Sequence, residues 1–98
     1  MQESAFRAYL RRFVTSQSTN QPLTADTIKR YVGDMVLIER RMKEKGIGNG
    51  LDRTSLPILN ILIETRMSDI VGTMEGDSID NYQTSARHYL NFLRYNNQ

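Results

Sequence analysis

The final stretch of the chain, residues 78–98, carries the most regular apolar pattern in the sequence. Its apolar side chains recur three or four positions apart, which is the spacing of one buried face of an α-helix. This stripe consists of Ile79, Tyr82, Ala86, Tyr89, Leu90 and Leu93. Such a helix gains most of its stability from other elements that cover its stripe, so the pattern predicts a central helix in a folded domain.

The same helix carries polar side chains along one edge of the stripe. Successive residues are rotated by about 100° around a helix, which brings four of these side chains together. They are Gln83, Arg87, Asn91 and Arg94, and we call them the polar flank. Arginine neutralises phosphate groups, whereas glutamine and asparagine can hydrogen-bond to the edges of bases. The polar flank, with the neighbouring Thr84, is therefore the first candidate for a binding surface.

Two earlier segments show the same helical period. The first covers residues 3–15, and its stripe consists of Phe6, Tyr9, Leu10, Phe13 and Val14. The second covers residues 25–45, with Thr24 before it as an N-cap and Gly46 after it as the expected left-handed residue. Its stripe consists of Ile28, Tyr31, Val32, Met35, Ile38 and Met42. Glu39 falls inside this stripe, which indicates that the end of the second helix has left the core.

A third helix is predicted after Ser55, which can cap it, with Pro57 tolerated in its first turn. Its buried positions are Leu56, Leu59, Leu62, Ile63 and Met67. We interpret residues 16–22 as a loop and residues 47–50, which contain two glycines, as a flexible connector. Residues 68–77 are expected to hold a short further turn around Ile70 and Val71, then a turn at Gly76-Asp77 that leads to Ser78 as the cap of the final helix.

Four helical segments in a chain of 98 residues with 39% hydrophobic content predict a single all-α domain over residues 1–98. We expect a compact four-helix orthogonal bundle, and the chain is long enough for one core. The predicted core consists of Phe6, Leu10, Phe13, Ile28, Val32, Met35, Leu59, Ile63, Tyr82, Ala86, Tyr89 and Leu93. Phe92 and Tyr95 point away from it, so we expect them to be exposed and to dock a partner or a following domain.

Composition narrows the classes of function. The chain has no apolar run of the length that a membrane span needs and no signal-peptide pattern, so it is expected to be soluble and cytoplasmic. Because it has no cysteine, it can form neither a disulfide framework nor a thiolate metal site. The formal charge is only +2, but residues 1–46 hold nine Lys and Arg against five Asp and Glu. This distribution permits a nucleic-acid partner without requiring one.

No catalytic arrangement is evident in the sequence. His88 is the single histidine, and its place on the helix opposite the stripe predicts an exposed side chain. The carboxylates between residues 64 and 80 are interpreted as loop and cap residues, because no second ligand type accompanies them. We therefore predict that this chain is not an enzyme and has no metal, cofactor or small-molecule substrate.

Three motifs along the chain resemble one family. They are an FxxYLxxF helix at residues 6–13, the segment LTADTIKRYVGDMVLIERRM and the final NYQTSARHYLNFLRY. Together they resemble the SAM-like amino-terminal domain of phage integrases, which is the core-binding domain of tyrosine recombinases. The residues that match are Phe6, Tyr9, Leu10, Phe13, Leu23, Thr24, Thr27, Ile28, Tyr31, Tyr82, Arg87, Tyr89, Leu90, Phe92 and Leu93. The resemblance covers most of the chain, and the third helix matches least.

This resemblance implies a helical bundle that forms half of a clamp around duplex DNA, with its second and fourth helices facing the DNA. In that family, cleavage belongs to a separate carboxy-terminal domain. The chain would then be either one domain of a longer recombinase or restriction-type protein, or a stand-alone relative that binds without cutting.

Two hypotheses follow for the function. In the first, the domain binds DNA through the second and last helices, and the contacting residues are Lys29, Arg30, Arg40, Gln83, Thr84, Arg87, Asn91 and Arg94. In the second, it is a small helical protein-interaction or regulatory domain of phage or plasmid origin. Its exposed anchors would then be Phe92, Tyr95 and Leu37.

Overall fold

The computed structural model describes residues 1–16, 20–72 and 79–96, which contain helices and no β-structure beyond two isolated bridges. The helices are α1 (Glu3–Phe13), α2 (Ala25–Lys45), α3 (Leu56–Thr65), α4 (Met67–Val71) and α5 (Ile79–Asn96). α5 packs most extensively on α2 and α3, and it also contacts α1 and α4. None of these described helices is both long and apolar enough to cross a bilayer. The all-α prediction is confirmed for the described residues, which hold the four predicted helices and the short α4.

Both ends of α2 lie where the sequence predicts them, because local signals set them. Thr24 Oγ1 accepts a hydrogen bond from the Thr27 amide at 3.2 Å, which satisfies one amide of the first turn. At the other end Gly46 has a φ of 65°, and its amide donates to the Lys43 and Met42 carbonyls. A side chain at this left-handed position would be strained, so glycine favours the end of the helix there.

The other helices differ from their predictions in detail. α1 ends at Phe13, before the predicted Thr15, because Val14 is already extended with φ −109° and ψ 131°. Ser55 occupies the N-cap position of α3, but its side chain makes no cap hydrogen bond. The short turn expected around Ile70 and Val71 is α4. The middle of the 16–22 loop, the Gly76-Asp77 turn and the Ser78 cap lie outside the described residues.

Most of the predicted core is confirmed. The buried members are Phe6, Leu10, Ile28, Val32, Met35, Leu59, Ile63, Ala86, Tyr89 and Leu93. The prediction that Phe13 is buried is wrong, because its side chain is 47% exposed at the end of α1. Tyr82 is only partly buried and packs at the edge of the core.

The prediction that Phe92 is exposed is wrong as well. Its side chain is 2% exposed, and its ring centroid lies 5.6 Å from that of Phe6 and 5.4 Å from that of Tyr89. The physical reason is that α1 packs against α5 beside the predicted stripe. α5 therefore buries a wider face than the stripe alone indicates.

The segment between α2 and α3 is a packed part of the fold, which corrects its interpretation as a flexible connector. Ile47 is 8% exposed and Leu51 is 1% exposed, and both belong to the core. Thr54 Oγ1 accepts a hydrogen bond from the Asn49 amide at 3.0 Å and donates to the Gly50 carbonyl at 2.6 Å. The hydrogen bonds close the turn on itself, and the two buried side chains anchor it to the core.

Candidate nucleic-acid interface

Half of the polar flank faces α3. Gln83 Nε2 donates to the carbonyl oxygens of Ile63 at 3.3 Å and Glu64 at 3.4 Å, at the end of α3. Arg87 donates through Nε and Nη2 to the two carboxylate oxygens of Glu64, each at 2.8 Å. This bidentate pair joins residues 23 positions apart in the sequence. Gln83 and Arg87 therefore connect α5 to α3, and the charge of Arg87 is already balanced.

The Arg87–Glu64 pair is ionised over the whole neutral range. The hydrogen bonds from Arg87 lower the pKa of the Glu64 carboxyl, outweighing a smaller opposite effect of burial. The same hydrogen bonds raise the pKa of the Arg87 guanidinium. A phosphate would have to displace Glu64 before it could make the same two contacts with Arg87.

The opposite side of α5 faces α2. Ser85 is fully buried there, and its hydroxyl donates to Asp34 Oδ2 at 2.7 Å. One turn further along α5, the His88 ring centroid lies 4.9 Å from that of Tyr31. His88 is thus half-buried, in contrast to the exposed position that the sequence predicts. Burial lowers the pKa of the His88 imidazole, so the ring is neutral at pH 7.

Arg30 lies where α2 meets this side of α5. Its guanidinium carbon is 5.0 Å from the centroid of the Tyr31 ring, a cation–π distance, and the same ring contacts His88. Thr84 and Asn91 lie one turn before and one turn after His88, on the same face of α5. We call Arg30, Thr84, His88 and Asn91 the α2/α5 seam. Three of its members, Arg30, Thr84 and Asn91, are residues that the sequence predicts as DNA contacts.

The end of the polar flank lies beside this seam. Arg94 Nη1 donates to Asn91 Oδ1 at 3.2 Å, and both side chains are exposed. The Thr84 hydroxyl donates to the carbonyl of Asp80 at 2.9 Å, which leaves its oxygen able to accept. The seam and Arg94 therefore offer one guanidinium from each helix together with neutral hydrogen-bonding groups.

Lys29 and Arg40 lie elsewhere. Both are exposed, and helix geometry places them on the side of α2 opposite Tyr31 and Asp34, the residues that contact α5. The structure therefore does not bring Lys29 and Arg40 together with the polar flank in one surface.

Unpaired positive charge is concentrated in the amino-terminal half. The four described arginines in ion pairs are Arg7, Arg41, Arg66 and Arg87. The cations of α1 and α2 that form no ion pair within the described residues are Arg11, Arg12, Lys29, Arg30, Arg40, Lys43 and Lys45. After α2, the cationic side chains that form no ion pair within the described residues are Arg53 and Arg94. The weak net charge thus conceals a more basic surface on the first two helices.

A second polar arrangement, which the sequence did not predict, surrounds the Met1 ammonium. Its nitrogen lies 2.6 Å from Glu39 Oε2 and 3.0 Å from Asp52 Oδ2. The Tyr89 hydroxyl donates to Asp52 Oδ1 at 2.6 Å and accepts from the Gln2 amide at 3.1 Å. We call Met1, Glu39, Asp52 and Tyr89 the ammonium cluster. It corrects the interpretation of Glu39, whose carboxylate stays beside the core because a cation pairs with it there.

The cluster shifts the ionisation of its members. Burial alone would lower the pKa of the Met1 ammonium, but hydrogen bonds to Glu39 and Asp52 outweigh it and raise the pKa above 8.0. Burial would likewise raise the pKa of Asp52, but hydrogen bonds from Tyr89 and the ammonium lower it below 3.8. For Tyr89, burial and the bond to Asp52 both raise the pKa of the hydroxyl. The three groups therefore keep their charges or protons at neutral pH.

Of the predicted docking residues, Tyr95 is 48% exposed, as predicted, whereas Phe92 is buried. Leu37 is partly buried. No three histidine, aspartate or glutamate side chains among the described residues are grouped as metal ligands.

Comparison of the chain with protein-family models, with curated proteins and with solved structures finds no match. The resemblance to integrase core-binding domains therefore rests on the motifs quoted from the sequence.

Proposed function

We propose that this domain binds duplex DNA, chiefly through phosphate groups, at the α2/α5 seam and Arg94. The observation that carries the proposal is the position of Arg30, whose guanidinium lies on the Tyr31 ring where α2 and α5 meet. This stacking orients the cation while its hydrogen-bonding edge remains available, and it pairs with no carboxylate among the described residues. Asn91, one turn beyond His88 on α5, can address a base edge.

We also propose that the domain is related to SAM-like core-binding domains, on the strength of the sequence motifs. The motifs that carry the resemblance lie on α1, α2 and α5, and these three helices contact one another in each pairwise combination. In this proposal the domain holds DNA in the cytoplasm, and any cleavage belongs to another domain. Gln83 and Arg87 serve the α3–α5 contact instead of the DNA, and Lys29 and Arg40 lie outside the interface.

The affinity expected from this interface is low. If Arg30, Arg94 and one further cation neutralise two or three phosphates, log K should fall with log salt with a slope of about −2 to −3. Such a contact supports binding in the micromolar range or weaker at physiological salt, as is typical of non-specific binding.

Two double charge reversals test where the interface lies. The Arg30→Glu/Arg94→Glu variant should lose at least about tenfold in affinity for a labelled duplex at low salt, because each removed phosphate contact is replaced by repulsion. The Lys29→Glu/Arg40→Glu variant changes the net charge equally, on the other side of α2, and should bind closer to wild type. Fluorescence anisotropy at about 50 and 200 mM salt measures both, and circular dichroism confirms that the variants are folded.

The DNA proposal fails if wild type shows no binding at the lower salt concentration. Its placement at the seam fails if the Arg30/Arg94 variant binds as wild type does, or if the two reversals weaken binding equally.

A further inference from the structure

A groove between α1 and the end of α5 combines an apolar interior with a positively charged rim. It encloses about 250 Å³, and its walls are the rings of Tyr9, Phe13, Phe92 and Tyr95. Ala5 and Ala8 line it on α1, where their small side chains leave the space open. Arg12 and Asn96 lie at its edges. A groove of this size accommodates one or two large side chains of a partner.

Two aromatic rings remain half-exposed at this groove. Phe13 is 47% exposed and Tyr95 is 48% exposed, and their ring centroids are 4.8 Å apart. Tyr9 contacts both, at 5.4 Å from Phe13 and 5.7 Å from Tyr95. Single exposed aromatic residues are common, but adjacent rings around a concave space form an apolar patch of the kind that marks interaction sites.

The charge at the groove selects the partner. The Arg12 guanidinium carbon lies 5.3 Å from the centroid of the Phe13 ring, so the cation is held at the edge of the apolar space. Among the described residues no acidic side chain lines the groove, and Arg12 has no ion-pair partner. A carboxylate that follows an apolar anchor would meet an arginine that is already in place.

We propose that this groove docks an acidic segment of another protein, with one apolar side chain in the groove against the Phe13 and Tyr95 rings and a carboxylate paired with Arg12. The rings favour a protein partner over single-stranded nucleic acid. They pack against one another at 40–48° for the Tyr9–Phe13, Tyr9–Tyr95 and Phe13–Tyr95 pairs, so they do not present a row of parallel free faces to stacked bases. The proposal goes beyond DNA binding, and no residue that lines the groove belongs to the α2/α5 seam or is Arg94.

The test uses two synthetic peptides, one with a central leucine flanked by glutamates and one with the same leucine flanked by lysines. Titration of the isotope-labelled domain, followed by NMR, should show the acidic peptide shifting the signals of Phe13 and Tyr95 at submillimolar concentration. Arg12→Glu should weaken the acidic peptide by about tenfold or more and favour the lysine peptide, because the charge of the rim is reversed. Arg11→Glu is the matched control, since Arg11 is exposed on the same helix, without an ion pair among the described residues and outside the groove.

Three results would overturn the proposal. One is that neither peptide shifts the groove signals at millimolar concentration, and another is that Arg11→Glu weakens binding as much as Arg12→Glu. The third is that the groove signals respond to a thymidine oligonucleotide, or to concentration of the domain alone, more strongly than to the acidic peptide. Those responses would assign the groove to single strands or to a second copy of the chain.

Discussion

Replacing Phe92 by alanine should lower the free energy of unfolding by about 3–5 kcal/mol, the usual cost of truncating a buried phenylalanine. Its ring is 2% exposed and contacts Phe6, Tyr9 and Tyr89, so the truncation leaves a cavity where α1 meets α5. Urea unfolding followed by circular dichroism measures the change.

Tyr95→Ala is the matched control for this experiment. Tyr95 lies three residues further along α5 and is 48% exposed, so its truncation should cost only about 1 kcal/mol, mainly from lost ring contacts with Phe13 and Tyr9. Equal losses for the two variants would contradict the assignment of Phe92 to the core and of Tyr95 to the surface.

Removing the negative charges of the ammonium cluster should also lower the free energy of unfolding substantially. The Glu39→Gln/Asp52→Asn variant replaces the two carboxylate acceptors of the Met1 ammonium, at 2.6 and 3.0 Å, by neutral amides, which leaves the ammonium charged but without a counter-charge. Both carboxylates keep some contact with water, so we expect a loss of about 2 kcal/mol in unfolding free energy, near the lower end for charge-assisted hydrogen bonds. Glu44→Gln is the control, because its pair with Arg41 is exposed and worth about 1 kcal/mol or less.

The stability difference between wild type and this variant should depend on pH. The pKa of the Met1 ammonium is raised in the folded state, so its contribution is complete below pH 8.0 and is lost as the pH rises through the raised pKa. The pKa of Asp52 is lowered, so its contribution is complete above pH 3.8 and is lost as the pH falls through the lowered pKa. The difference in stability between wild type and variant should therefore be constant between roughly pH 4 and 8 and shrink on both sides.

Protonation of His88 contributes a further pH dependence to the stability, and this contribution is the same in wild type and variant. Its pKa is lowered from 6.5 by burial, so the unfolded chain takes up a proton first and the fold loses stability as the pH falls below 6.5. Subtracting the two stability profiles removes this effect. A difference that stays constant through pH 8 to 10 would show that the ammonium makes no contribution.

Residues close in sequence determined the positions of the helices. Thr24 and Gly46 set the ends of α2 through contacts within one turn, and the apolar period placed α1, α3 and α5. These signals act over three or four residues, so they can be recognised without knowledge of the fold. The same local geometry grouped Gln83, Arg87, Asn91 and Arg94 on one flank of α5.

The tertiary structure decided what those side chains do. A helical wheel shows on which side of its helix a residue lies, but not whether another helix covers that side. α1 covers Phe92, whereas the Phe13 side chain stays 47% exposed among the described residues. The partner of Arg87 lies 23 residues away, and Glu39, one of the two partners of the Met1 ammonium, lies 38 residues away. The apolar period of the sequence does not indicate pairs so far apart along the chain, because they form only after helix packing brings the charges together. Helix packing also decided which surfaces stay accessible, among them the α2/α5 seam and the groove between α1 and α5, where we propose that DNA and a partner protein bind.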